Sequence, residues 1–103
     1  MYDMSQIRKL KALGAAAPAA FEAYAAFDKA ALAEGAIPAR TKSLIAIAVA
    51  MTTQCPYCIE IHAKRARAAG CSDSEISESV MVAAALRAGA AVTHGAHALP
   101  SGA

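Results

Sequence analysis

Eight consecutive apolar residues, from Leu44 to Met51, constrain the fold of this 103-residue chain more than any other feature. In a helix, such a run is apolar on every side, so it must be buried all round or shared between a core and a subunit interface. A buried strand is the alternative, because Ile45, Ile47 and Val49 alternate as strand residues do. The helical pattern on both sides of the run and the lack of a second strand candidate favour the helix.

Alanine accounts for 30 of the 103 residues, and this abundance predicts an all-α fold. Alanine is the best helix former, and its side chain loses no rotamer entropy on folding. Because only 17% of the residues are charged, apolar patches should remain on the surface, and such patches usually mark interfaces. We therefore expect a single domain over residues 1–103, a compact bundle of about five to six helices that assembles as a homo-oligomer.

Glycine, proline and capping residues divide the chain into helices. The predicted helices run from Met4 to Leu13 (fraying near Gly14), from Pro18 to about Ala31, from Ala39 to about Met51, from Pro56 to Ala69 and from Asp73 to about Gly89 or His94. The core is expected to cover about residues 18–95, and the tail after it is expected to be loose.

Two of these boundaries carry specific capping signals. Cys55 is placed to cap the fourth helix, with proline at the first helical position and Gly70 just after the end. Ser72 and Glu75 have the spacing of a capping box, which predicts the start of the fifth helix.

The charge pattern argues against several classes of partner. A net charge of +2, with short basic clusters that fit solvated helix faces, gives no reason to expect nucleic-acid binding. No secretory signal is visible, and the runs Leu44–Met51 and Val80–Leu86 are too short to span a bilayer. We therefore expect a cytoplasmic protein that binds no membrane, and in that compartment a cysteine pair is more often catalytic or metal-binding than a structural bridge.

The chemistry of the chain centres on Cys55-Pro56-Tyr57-Cys58, followed by His62. Two thiols separated by two residues can close and reopen a disulfide, and a helix start lowers the pKa of a thiol placed there. His62 lies four residues after Cys58 on the same helix face, where it can accept the thiol proton or, as a cation, stabilise the thiolate. Cys55, Cys58 and His62 are therefore the predicted catalytic residues; two buried thiols and an ordinary histidine are the alternative.

Two cofactor alternatives were weighed against this redox interpretation. Covalent haem attachment needs a histidine directly after the second cysteine, where this chain has Ile59. Zinc could use Cys55, Cys58, His62 and His94, but three ligands around one helix start differ from the separated ligand pairs of structural zinc sites. We therefore expect neither a bound cofactor nor a metal.

The segment from Ala46 to His62 resembles the core of the carboxymuconolactone decarboxylase and alkylhydroperoxidase D superfamily. Gly70, the Ser72–Glu75 cap and Leu86–Gly89 continue the resemblance, which covers about residues 18–95. A cysteine pair with histidine four residues on is specific to the peroxidase-like branch. The lactone decarboxylases usually lack that pair, so decarboxylation is the less favoured activity.

The resemblance implies an all-α protein, assembled as trimers or hexamers, that reduces hydroperoxides through a dithiol cycle. By analogy, Cys58 attacks the peroxide, Cys55 resolves the sulfenic acid into a disulfide, and His62 relays protons. An external reductant would reduce the disulfide back to two thiols. This reductant would be a lipoyl-type carrier, another dithiol protein or a small thiol. The helix dipole alone favours Cys55 as the attacking residue, whereas His62 favours Cys58, and we expect Cys58.

Two positions depart from the family pattern and predict slow peroxidase turnover. The relay of the family usually begins with a glutamate twelve residues before the first cysteine, where this chain has Ser43, and Tyr57 replaces a second histidine inside the motif. Tyr57 could hydrogen-bond near the thiols or simply pack, and Glu60 should point away from Cys58. The residues that could replace the glutamate from another helix or subunit, or else be solvated surface groups, are Glu34, Glu75, Glu78 and His94.

The broken relay keeps two further functions open. One is a dithiol-disulfide reductase or redox-sensing module without peroxidase activity. The other is an assembly whose role is structural or in binding. The departure at Ser43 is the reason to retain both.

Overall fold

The structure, a computed structural model, describes residues 3–102, which form five α-helices and contain no strand. The helices are α1 (Leu10–Ala16), α2 (Pro18–Leu32), α3 (Ala39–Thr53), α4 (Pro56–Ala68) and α5 (Asp73–His94). Short 3-10 segments precede α1 and follow α5, at Met4–Lys9 and Gly95–Ala98. The all-α prediction is confirmed, and the strand alternative for the apolar run is wrong because that run lies inside α3.

The predicted caps define the ends of α4 and the start of α5. The Sγ of Cys55 accepts a hydrogen bond from the backbone N–H of Cys58 at 3.3 Å, which is an N-cap contact. Ser72 and Glu75 form the reciprocal capping box, with bonds of 3.1 and 2.8 Å. Gly70 adopts the left-handed conformation (φ 86°), which lets the chain reverse after α4.

The N-terminal region differs from the prediction of one helix that frays near Gly14. Met4–Lys9 is a 3-10 segment, and α1 continues through Gly14 to Ala16. A Cβ atom at residue 14 would lie 2.9 Å from Cδ1 of Phe21. Glycine is therefore present to let the Phe21 ring approach the helix, and its role here is close packing instead of helix termination.

The core is built around α3, which packs against both α4 and α5. Among the described residues, the buried apolar side chains are small or medium in size, as expected from the alanine content: Ile47, Ala50, Ala66, Cys71 and Ala83. Partly buried apolar residues surround this core, namely Leu44, Met51, Ile76 and Val80. The packing of α4 and α5 on α3 fixes the position of the cysteine motif at the start of α4.

Much apolar surface is left uncovered by the single chain. On α3, Ile47 is 1% exposed but Val49 is 53% exposed, and Phe27 on α2 is 71% exposed. The radius of gyration is 17.6 Å, whereas a globular domain of this length has about 13 Å. The apolar run is therefore half buried within the chain, and the predicted homo-oligomer would cover its other half.

The last helix is the longest, and its apolar residues are mostly exposed. The segment Asp73–Ala98 is long and apolar enough to satisfy a simple length-and-composition criterion for a membrane span. Core and interface helices satisfy the same criterion. Arg87, in this helix, donates a hydrogen bond to the carbonyl oxygen of Thr52 in α3. The expectation that the chain does not enter a membrane stays a prediction.

Candidate functional site

A short connection between α3 and α4 places the cysteine motif. Gln54 ends α3 in the left-handed conformation (φ 54°, ψ 41°), which costs a non-glycine residue about 1 kcal/mol. Arg87 of α5 donates to the carbonyl oxygen of Thr52 at 2.5 Å and so satisfies an acceptor freed at the end of α3. Three helices thus determine where Cys55 begins α4.

The two thiols of the motif are reduced, half-buried and electrostatically unequal. A hydrogen bond from the Cys58 side chain lowers the pKa of Cys55, and the backbone N–H groups of Cys58 and Tyr57 lower it further. The same side-chain bond raises the pKa of Cys58, to which burial and the Cys55 charge add. Of the two thiols, Cys55, the N-cap, therefore ionises first, as the helix dipole alone predicts.

Cys58 and His62 share the wall of an open cleft of about 540 Å³ between α2, α3 and α4. We call it the apolar cleft, because most of its lining is aliphatic, including Leu32, Ile37, Ile45 and Val49. Cys55 does not line this cleft. A molecule bound there would meet the second cysteine and the histidine, whereas the first cysteine stands outside.

The same two side chains also line a second cleft of about 460 Å³ on the N-terminal side. This N-terminal cleft is bounded by Ile7 and Leu10 from the start of the chain and by Tyr24 and Tyr57. The Tyr57 hydroxyl accepts a long hydrogen bond from the Asp3 backbone N–H at 3.5 Å. Tyr57 therefore links the N-terminal segment to the cysteine motif.

The His62 imidazole is suited to accept a proton. Burial lowers its pKa and the Arg65 charge lowers it further, while the Asp28 charge acts in the opposite direction. A histidine whose pKa lies below its ordinary value is neutral at pH 7. Of the two roles predicted for His62, the neutral state fits proton acceptance from Cys58 and not stabilisation of a thiolate by a cation.

Ser43 lies near His62, as the resemblance implies, but its hydroxyl is already engaged. Both residues line a third cleft of about 450 Å³ beside the apolar cleft. The Ser43 Oγ donates to the carbonyl oxygen of Ala39 at 3.2 Å within its own helix. Ser43 thus marks the position of the usual carboxylate without supplying one.

The other auxiliary candidates lie elsewhere. Glu60 and His94 do not line any of the three clefts around His62. The Nδ1 of His94 lies 3.0 Å from the carbonyl oxygen of Ala90, and its ring is 6.0 Å from that of His97. His94 is therefore placed beside His97, and Glu60 lies on the same helix as the cysteine motif but borders none of these clefts.

Two of the three glutamates suggested as replacements, Glu34 and Glu75, have structural contacts of their own. Glu34 accepts the backbone N–H of Ala39 at 2.9 Å, at the start of α3. Glu75 forms an ion pair with Arg40 at 2.6 Å, in addition to its part in the capping box. Each of these carboxylates stabilises a helix start.

Asp28 is the carboxylate that the sequence interpretation missed. It is half-buried on α2 and lines all three clefts that His62 lines. The sequence did contain a signal that could have identified Asp28. It lies four residues after Tyr24, on the same face of α2 as this aromatic residue, where an acidic residue is unexpected. Only the packing of α2 against α3 and α4 shows which side chain it faces.

Within residues 3–102, no three side chains of histidine, cysteine, aspartate or glutamate converge as metal ligands would. Cys55, Cys58 and His62 are included in that statement, and His94 is held near His97. The geometry therefore offers a zinc ion no ready ligand set in this part of the chain.

Comparison with known proteins places the fold in a family. The profile of the carboxymuconolactone decarboxylase family matches residues 18–100. A Paracoccus denitrificans protein, described as uncharacterized protein 4 in the cox locus, is 46% identical over 102 residues, covering 96% of this chain and 92% of that protein. An uncharacterized Cupriavidus necator protein is 42% identical over 59 residues, covering 57% and 52%.

A solved structure shares the same arrangement of helices. The crystal structure of a Methanobacterium thermoautotrophicum protein superposes with a TM-score of 0.77 at 32% sequence identity. The match covers 81% of this chain and 93% of that protein. The printed names of these relatives state no activity, so the functional argument rests on the site.

Proposed function

This chain belongs to the carboxymuconolactone decarboxylase family, and we propose that it is a hydroperoxide reductase that works through Cys55, Cys58 and His62. The observation that carries this proposal is the placement of the second cysteine and the histidine on one wall of the apolar cleft. The first cysteine caps the same helix start from outside the cleft. An organic hydroperoxide in the cleft would thus meet the attacking group, and the resolving group is adjacent.

The first step requires Cys58 to lose its proton. Neutral His62 accepts it, and the resulting thiolate attacks the terminal oxygen of the peroxide. The O–O bond breaks, an S–O bond forms, and the alkoxide leaving group takes the proton from His62 to become an alcohol. Cys58 is oxidised to a sulfenic acid and the peroxide is reduced.

The second step uses the low pKa of Cys55. Its thiolate attacks the Cys58 sulfur, forming the disulfide and releasing hydroxide, which becomes water with one proton. The separation of one helical turn suits such a bridge. The lowered pKa of Cys55 supports its role as the resolving nucleophile, whereas the raised pKa of Cys58 is the reason the first step needs His62 as a proton acceptor.

Turnover requires an external dithiol, which supplies two electrons and two protons to the disulfide. We propose that this reductant, a lipoyl-type carrier or another dithiol, approaches Cys55 from the solvent side. The summed reaction converts one hydroperoxide and one dithiol into one alcohol, one water and one disulfide.

The test is consumption of cumene hydroperoxide with dihydrolipoamide as the reductant. The Cys58→Ser variant should lose activity, and the Cys55→Ser variant should accumulate a sulfenic acid that dimedone traps. Cys71→Ser is the control, because that thiol is buried and remote from the clefts. Wild-type protein that oxidises no faster with peroxide than free cysteine does would refute the proposal.

The position of Cys55 outside the three clefts favours one second candidate, a dithiol-disulfide reductase or redox sensor. A low-pKa thiolate outside the cleft can attack a disulfide in a partner without any peroxide. In that case the first chemical step is the attack of Cys55 on the partner disulfide. Cys55→Ser, and not Cys58→Ser, would abolish this step, and the reduction of insulin disulfides measures it. Carboxymuconolactone decarboxylation is less favoured, since it gives the cysteine pair no role.

The assembly and location are proposed together with the activity. We propose a homotrimer or homohexamer in the cytoplasm, because the exposed halves of α2, α3 and α5 leave apolar surface for neighbouring copies to cover. Analytical ultracentrifugation at micromolar concentration tests the assembly. A monomer under those conditions would contradict this part of the proposal.

A further inference from the structure

We propose that Asp28 is the positioning residue for His62, a carboxylate that α2 places in the same three clefts as the imidazole of α4. The expected effect of Asp28 on peroxide reduction rests on the proposed function. The pairing of the two side chains stands on the geometry alone.

The first support is shared placement. Asp28 and His62 are the two residues common to the apolar cleft, the N-terminal cleft and the third cleft beside Ser43. They therefore lie where these three spaces meet, one on α2 and the other on α4. Ser43, at the usual position of the carboxylate, borders the third of these clefts.

The second support is that the Asp28 carboxylate is not used elsewhere. It is half-buried, and the ion pairs within residues 3–102 are Arg40 with Glu75 and Arg67 with Asp73. The Asp28 carboxylate therefore takes part in neither of these ion pairs. His62 is the residue that borders all three of these clefts together with Asp28.

The third support is the direction of the electrostatic effect. Asp28 raises the pKa of His62 against the lowering by burial and by Arg65. No direct hydrogen bond joins the two side chains in the described part of the chain, so the effect acts across the cleft, where a water can bridge them. Catalytic contacts of this kind often tighten only when substrate binds.

The other charged and titratable groups around His62 do not duplicate this role. Three of these groups are cations, one from each neighbouring helix: Lys29 of α2, Lys42 of α3 and Arg65 of α4. The remaining groups are the thiol of Cys58 and the hydroxyls of Tyr24 and Tyr57. The Lys42 Nζ is held by the carbonyl oxygen of Ala33 at 2.7 Å. Asp28 is the acidic residue in this set.

The test is an NMR titration of the His62 ring protons, a readout that needs no enzymatic activity. Asp28→Asn should lower the pKa of His62, because the negative charge is removed. Asp28→Glu keeps the charge and should leave the pKa of His62 closer to that of the wild type. Glu22→Gln is the control, since this residue is exposed on the same helix and borders none of the three clefts. A His62→Gln variant assigns the resonance, and circular dichroism checks folding.

The kinetic consequence follows from the same variants. Asp28→Asn should slow peroxide reduction about tenfold or more and displace the acidic limb of its pH profile, with Asp28→Glu partly active. An unchanged pKa of His62 in a folded Asp28→Asn variant would overturn the inference. A lowered pKa in a protein that reduces no peroxide would support the pairing and refute the proposed function instead.

Discussion

The sulfur of Cys55 accepts the backbone N–H of Cys58 at 3.3 Å, so the first cysteine of the motif caps the helix that carries the second. The side-chain hydrogen bond between the two cysteines, and after it this backbone contact, make the pKa values of the two thiols unequal before any substrate binds. The capping thiol has a lowered pKa and ionises before the other thiol, which has a raised pKa and lies on the wall of the apolar cleft. The proton acceptor beside Cys58 therefore decides how fast the cleft-facing thiol can react.

The inequality of the thiols predicts the order of alkylation. At pH 7, iodoacetamide should label Cys55 faster than Cys58, because only the thiolate reacts and the pKa of Cys55 is lowered. Cys71 is 7% exposed and should react only after denaturation, which provides an internal control. Peptide mass spectrometry over a pH series measures all three rates. Faster labelling of Cys58 would contradict the assignment of the thiolate.

The hydrogen bond from Arg87 to the Thr52 carbonyl predicts coupling between α5 and the cysteine motif. Arg87→Met should lower the free energy of unfolding by about 1 kcal/mol and slow disulfide closure, because the end of α3 loses its donor. Arg67→Met is the matched control, since its pairing with Asp73 is longer, at 3.5 Å, and exposed. Urea denaturation and the rate of oxidation by diamide measure the two effects. Equal behaviour of both variants would remove this role for Arg87.

The ion pair of Arg40 with Glu75 predicts how stability depends on pH. The side-chain hydrogen bond from Arg40, followed by the Ser72 backbone N–H, lowers the pKa of Glu75 from 4.5 to about 2. A lowered folded-state pKa gives stability that is present above 4.5 and lost as the pH falls towards about 2. The melting temperature of the wild type should therefore fall over this range.

The variant Glu75→Gln should melt lower than the wild type at pH 7, and the difference should shrink as the pH approaches 2. Asp73→Asn, which affects the longer pair with Arg67, should leave the pH dependence close to that of the wild type. Thermal denaturation followed by circular dichroism gives the profiles. Parallel curves for the wild type and Glu75→Gln would show that this pair does not set the acid sensitivity.

The close approach of Phe21 to Gly14 predicts a steric effect at the N-terminus. Gly14→Ala should destabilise the packing of α1 on α2 by about 1 kcal/mol, because its Cβ would lie 2.9 Å from the ring. Gly89→Ala is the control, since nothing lies within 4 Å of a Cβ there and alanine favours the helix. The double variant with Phe21→Leu should recover part of the loss. Stabilisation by Gly14→Ala would show that glycine is not needed for this contact.

The helix boundaries around the motif could be predicted because they depend on short-range rules. Pro56 fits only the first turn of a helix, Gly70 adopts positive φ without strain, and Ser72 with Glu75 caps across three residues. Gly14 was misinterpreted because the residue that explains it, Phe21, lies on the next helix. A glycine that permits a contact and one that ends a helix look alike in sequence.

By itself, the sequence determined the all-helical fold, the family, the cysteine pair at a helix start and the loss of the usual carboxylate at Ser43. These follow from interactions within a few residues or from a recognisable motif. Only the tertiary structure decided that His62 shares three clefts with Asp28 and that Cys55 stands outside the apolar cleft. The reason is physical: which side chain α2 presents to α4 depends on how three helices pack around a small core. The spacing of residues along the chain does not specify this packing.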